Sequence, residues 1–142
     1  MVAATFSYQA LEAFANQLVA EGLTGTMRLE RRDGPVDWDA EQIERWVSTE
    51  EKLSNVLPTL TSRADPKGTK LWQQVVLLKD IRDATIHLKS QNQYVRGRPD
   101  DQTLYFQLLN ANPEDFPRWA IAMIRHFHGP GEGWLAGAEA QL

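Results

Sequence analysis

Apolar residues recur every three or four positions along four stretches of the chain, and each stretch predicts a helix. The first places Phe6, Tyr8, Leu11, Phe14, Ala15, Leu18 and Val19 on one side, with Gly22 as its stop. The second runs from about Asp39 to Leu57, where Ile43, Trp46, Val47, Leu53, Val56, Leu57 and then Leu60 repeat at helical spacing. Pro58 is expected to kink or end it, because proline removes a backbone donor and crowds the preceding turn. The third, from about Lys70 to Gln93, carries Trp72, Val75, Val76, Leu78, Ile81, Thr85, Ile86 and Leu88 in a broad apolar band. Being the most apolar, it is expected to be the central helix. The last, Pro113 to His128, opens with Asn112-Pro113-Glu114-Asp115 and turns Phe116, Trp119, Ala120, Met123, Ile124 and Phe127 toward a core. GPGEG ends it.

The connections carry the residues that break periodic structure. Residues 23 to 38 hold Gly25, Gly34 and Pro35 without a sustained period, so they read as a loop with one short extended piece around Met27 to Leu29. Ser62 to Thr69, with Pro66 and Gly68, is a second connection, and RGRPDDQ (96–102) a third. TLYFQLLN (103–110) suits a short helix or a strand, and the tail WLAGAEAQL either docks Trp134 on the helices or frays. The pattern predicts an all-α fold: an antiparallel bundle of four to five helices in a single domain spanning 1–142, with 130–142 a loosely docked tail.

Composition narrows the function classes. With 142 residues the chain can bury one core, and 42% hydrophobic against 24% charged residues is the balance of an ordinary globular protein. The absence of cysteine excludes disulfides, thiolate metal sites and a cysteine nucleophile. The N-terminal stretch lacks a basic region, carries Glu12 within its apolar run, and nowhere reaches the roughly 18 apolar residues of a membrane span. A soluble cytoplasmic protein without membrane contact is expected. A net charge of −4 argues against a broad nonspecific grip on nucleic acid. From Lys79 to Arg98, however, five bases (Lys79, Arg82, Lys89, Arg96, Arg98) face two acids (Asp80, Asp83), which leaves room for a local anionic contact.

The third helix holds the chemistry. RDATIH, Arg82 to His87, sets an arginine and a histidine five positions apart with a polar Asp83 directly after the arginine. This resembles the R-x4-6-H motif of the HEPN superfamily, in an apolar helix of a small all-α chain as in that family. The other histidines, His126 and His128, have no arginine at the required distance. The resemblance implies metal-independent cleavage of RNA, with no cofactor, at a homodimer interface that brings two copies of the motif together. It implies catalytic roles for Arg82 and His87 and a supporting polar role for Asp83, while Lys79, Lys89, Arg96 and Arg98 hold RNA phosphates. It also allows an antitoxin or regulatory partner. Family members paired with an antitoxin often carry a tyrosine two positions after the histidine; Lys89 stands there, and Tyr94 is too far along.

The residue types suit that chemistry. Imidazole titrates near neutral pH and can take the proton of a ribose 2′-hydroxyl or return one to the leaving oxygen. A guanidinium offers a planar fork of donors to charge building on phosphorus. On a straight helix, five residues correspond to about 140° between the two side chains, so a cleft between subunits or a local bend has to collect them.

Plainer readings stand beside this one. Arg82 and Asp83 suit a solvated or bridging pair, and His87 a half-buried ring on a backbone carbonyl. In that reading the chain is a catalytically silent helical domain that binds a partner protein or a nucleotide. His126 and His128 lie two apart on different sides of a helix end, which favours interaction with the helix dipole over metal binding. Trp46, Trp72 and Trp119 fall on apolar stripes and are assigned to the core, whereas Trp38 and Trp134 remain open.

Overall fold

The computed structural model describes residues 2–86 and 110–128. These are mostly helical, in the order α1 (Val2–Gly22), β1 (Met27–Leu29), β2 (Val36–Trp38), α2 (Ala40–Trp46), α3 (Thr49–Glu51), a π-helical turn (Lys52–Val56), α4 (Leu57–Thr61), α5 (Lys70–Ile86) and α6 (Asp115–His128). The all-α expectation holds for the bulk of the described residues, and one small sheet is added to it. Strands β1 and β2 pair antiparallel, with Met27 opposite Trp38 and Leu29 opposite Val36. Gly34, at φ 111°, closes the turn between them with its N–H on the Arg31 carbonyl. Only the first of these strands was expected, because three residues are too few to show alternation by themselves.

Helix α1 is the hub. It packs against α2, α3, the π turn, α4, α5 and α6, and α5 and α6 also pack on each other. Its buried stripe is Ala4, Ser7, Tyr8, Leu11, Phe14, Ala15 and Val19. Phe6, assigned to that stripe from sequence, is instead 66% exposed. It stands about 200° from both Ala4 and Tyr8, on the far side of the helix. The central position expected for the third helix therefore belongs to the first. Of α5, only Val75, Leu78 and Ile81 are buried, and Ile86 is exposed.

The predicted second helix is two. Val47 is extended, at φ −99° and ψ 131°, and the Ser48 hydroxyl then accepts from the Glu51 N–H at 3.2 Å, starting a new helical stretch. Trp46, the last residue of α2 before the break, is exposed and lies under Arg45 rather than joining the core. Trp72 and Trp119 are half-buried against the core. Pro58 does not end the helix. It has no N–H for the Ser54 carbonyl, and the backbone is wound wide over Lys52–Val56 immediately before it, after which α4 continues to Thr61. Ser62, at φ 55°, makes the stop.

Polar residues set the other ends. Asp39 and Gln42 form a reciprocal capping box at α2, with Asp39 Oδ1 accepting from the Gln42 N–H at 2.9 Å and Gln42 Oε1 accepting from the Asp39 N–H at 3.0 Å. Asp39→Ala is expected to lower stability by about 1 kcal/mol in urea denaturation; an unchanged midpoint would show that α2 is held by Ile43 alone. Thr69 caps α5 by accepting from the Trp72 N–H at 3.2 Å. Helix α6 begins at Asp115, two residues after the expected Pro113, because Asn112 first forms a turn with the Glu114 and Asp115 N–H groups. Among the described residues, no helix is long and apolar enough to cross a membrane. RGRPDDQ, TLYFQLL of the following segment, GPGEG and the tail with Trp134 lie outside the described residues.

Candidate functional site

Lys79, Arg82 and Asp83 stand at i, i+3 and i+4 on α5, so one side of the helix carries all three. That side faces Tyr8 of α1 and Glu50 of α3. The result is a closed ring of five side chains from three elements. The Tyr8 hydroxyl donates to Glu50 Oε2 at 3.1 Å, and Glu50 Oε1 pairs with Lys79 Nζ at 3.3 Å. Lys79 Nζ donates to Asp83 Oδ2 at 2.9 Å, and Asp83 Oδ1 pairs with Arg82 Nη1 at 3.1 Å. The Arg82 guanidinium closes the ring by lying 4.5 Å from the centroid of the Tyr8 ring.

Burial differs sharply around this ring. Tyr8 is 1% exposed, whereas the Arg82 side chain keeps 27% of its surface in solvent. Arg82 Nε is buried and has no hydrogen-bond partner among the described residues. The inner end of the fork is thus buried, while the side chain as a whole reaches solvent. Glu50 also forms one wall of an open basin of about 520 Å³, shared with Ser48, Glu51, Ser54, Asp65 and Lys67. On the next residue, Glu51 pairs with Arg31, whose guanidinium lies 4.6 Å over the Trp38 ring. Trp38 is therefore a stacking surface for an internal cation.

The electrostatics follow from the packing. The Tyr8 hydroxyl is pushed up to about 12, first by burial and then by the adjacent Glu50 charge, with contacts to Thr49 and Arg82 opposing. Lys79 is held above its ordinary value, first by its hydrogen bond to Asp83, with Glu50 adding to it. Asp80, one residue along, has its carboxyl raised by partial burial, and Asp83 and Glu50 add to the rise against Lys79.

The Tyr8 shift makes a prediction. Because its folded value lies above its unfolded value, the neutral hydroxyl contributes stability that is fully present below about pH 10 and lost as pH rises toward 12. Two units correspond to about 2–3 kcal/mol. Urea denaturation between pH 9 and 11.5 should show wild type losing this increment relative to Tyr8→Phe; parallel profiles would contradict it.

No family model, no curated protein and no solved structure matches the chain. Of the residues singled out in sequence, Lys79, Arg82 and Asp83 are brought together, while His87, Lys89, Arg96 and Arg98 lie outside the described residues. Tyr8 and Glu50 were missed. Tyr8 looked like one more core position of α1, and Glu50 carried no signal because it lies off the apolar period of the expected second helix.

The remaining histidines have local roles. His126 Nε2 lies 2.7 Å from the Ala64 carbonyl, and the His128 ring packs 5.4 Å from Phe14. Among the described residues, no group of three or more metal-ligating side chains converges.

Proposed function

We propose that the chain is a HEPN-like endoribonuclease that cleaves RNA without a metal. The observation that carries the reading is the state of Arg82 within RDATIH: its guanidinium lies over the Tyr8 ring and is paired on one side, while the side chain as a whole keeps 27% of its surface in solvent. That is the condition of a cation held ready for an anion. In the reaction, the ribose 2′-oxygen attacks phosphorus and forms the new P–O bond while the bond to the 5′-oxygen breaks. His87 takes the 2′-hydroxyl proton, a proton is returned to the leaving oxygen, and the products are a 2′,3′-cyclic phosphate and a 5′-hydroxyl end. Arg82 stabilises the charge on the phosphoryl oxygens, Asp83 holds Arg82, and Lys79, Lys89, Arg96 and Arg98 supply phosphate contacts.

The protein in this reading is a single-domain antiparallel bundle that acts in the cytoplasm as a homodimer, with a second copy of RDATIH completing the cleft and with room for an antitoxin or another regulatory partner. Packing of α1, α5 and α6 on one another supports the bundle. The deciding experiment is incubation with a mixed pool of structured and single-stranded RNA in excess chelator. Cleavage with cyclic phosphate ends is expected.

A second reading has its own observation. Arg82 already has an acid, Asp83, and an aromatic face, Tyr8, within the chain, as a purely structural arginine would. In that case the chain is a silent helical domain that binds a partner protein or a nucleotide. RNA left whole by wild type across the pool would favour it.

A further inference from the structure

The ring around Arg82 contains a residue that the RDATIH motif does not include. Arginine has four rotatable side-chain bonds, so a guanidinium at a working site needs a surface that restricts it. Asp83 cannot do this alone. It is the next residue on the same helix, it is 38% exposed, and it is shared with Lys79. The ring face of Tyr8 belongs to a different element, and its body is locked in the core at 1% exposure. Its hydroxyl is in turn tied to Glu50, which is paired with Lys79.

We propose that Tyr8 is the positioning residue of the Arg82 site: its ring, fixed by burial in the core, is the face that restricts the guanidinium lying over it. The proposal deepens the ribonuclease reading, on which its catalytic consequence rests, although the positioning itself is measurable without any activity. Tyr8 touches no substrate in this arrangement. It acts through Arg82, as rigid supporting contacts commonly do for a reacting group.

Two measurements test it. The first is the ¹⁵Nε order parameter of Arg82 by NMR relaxation, with the exposed Arg28 as the internal reference. In wild type, Arg82 is expected near the value of rigid backbone, about 0.85, and Arg28 below about 0.6. Tyr8→Phe keeps the face and should keep Arg82 ordered. Tyr8→Leu removes it and should bring Arg82 toward Arg28.

The second is steady-state cleavage of an RNA oligonucleotide taken from the pool the wild type cuts. Tyr8→Leu should lower kcat about 100-fold with KM within about threefold, and Tyr8→Phe should restore most of kcat. Arg82 as mobile as Arg28 in wild type would overturn the proposal, and this comparison stands even where Tyr8→Leu fails to fold. An equally ordered Arg82 in folded Tyr8→Leu would overturn it too. An Arg82 that is ordered only through Tyr8, in a protein that cuts no RNA, would support the positioning and remove the ribonuclease reading.

Discussion

Replacing Arg82 by alanine is expected to lower RNA cleavage about 100- to 1000-fold, the usual loss when one donor to developing charge is removed from a preorganised site. The fold should survive. Arg82 is an intermediate, partly exposed residue at the rim of the α1–α5 contact, and Asp83 keeps Lys79 as its partner after the change. Arg82→Lys should recover little activity. An ammonium neither stacks flat on Tyr8 nor presents a fork, so both the positioning and the geometry of phosphate contact are lost. His87→Ala should cost a similar factor, about 100- to 10,000-fold, because it removes the proton carrier that the motif implies. Initial rates on one RNA oligonucleotide in chelator, with circular dichroism as the control for folding, measure all three. Unchanged cleavage in both alanine variants would mean that RDATIH has no catalytic role.

A large loss of stability is expected at Lys52. Its side chain is 1% exposed, and its Nζ donates to Asn16 Oδ1 at 2.6 Å and to the Glu44 carbonyl at 2.9 Å. One ammonium thereby ties α1 and the end of α2 to the π-helical turn. Lys52→Ala strands both acceptors and removes the packed stem, at a cost of about 2–4 kcal/mol. Lys52→Met keeps the stem volume and also removes the penalty for burying a charge, so it should cost less than alanine. Urea denaturation at pH 7 separates the two; equal midpoints for wild type and Lys52→Ala would contradict the assignment.

A pH dependence accompanies this. Burial holds Lys52 below its ordinary value, against the pull of Glu12 and Glu44. A folded value lower than the unfolded one means that the stability contribution is present above the unfolded value of about 10.5 and is lost as pH falls through the folded value. Wild type should therefore gain on Lys52→Met as the solution is made more alkaline. Tyr8 acts in the opposite direction in the same region, so the comparison is cleanest with Tyr8→Phe in both proteins.

How much of this was readable in sequence depends on the distance over which each signal acts. The helical periods of α1, α5 and α6 were legible because burial on one side of a helix imprints a spacing of three and four on the chain itself. The Met27–Leu29 strand was legible as an extended piece, but its partner was not, since pairing is a relation between segments. The break at Val47–Ser48 was hidden under a continuous apolar period. The Ser48 hydroxyl, which is no part of that period, accepts from the Glu51 N–H and starts a second helix. Trp46 and Phe6 looked like core because large apolar residues are usually inside, but Phe6 stands opposite the buried stripe of α1 and Trp46 is exposed at the end of α2 with Arg45 over its ring.

The candidate site divides in the same way. RDATIH and the grouping of Lys79, Arg82 and Asp83 on one side of a helix follow from local spacing, so the chain alone determined them. That the side faces inward, toward a tyrosine 74 positions away and a glutamate 32 positions away from Arg82, was decided only when α1, α3 and α5 packed together. Helical period is written within a few residues. The closed ring of Tyr8, Glu50, Lys79, Asp83 and Arg82 exists because burying the stripe of α1 against α5 leaves a polar seam, in which these side chains satisfy one another and reach solvent at the rim.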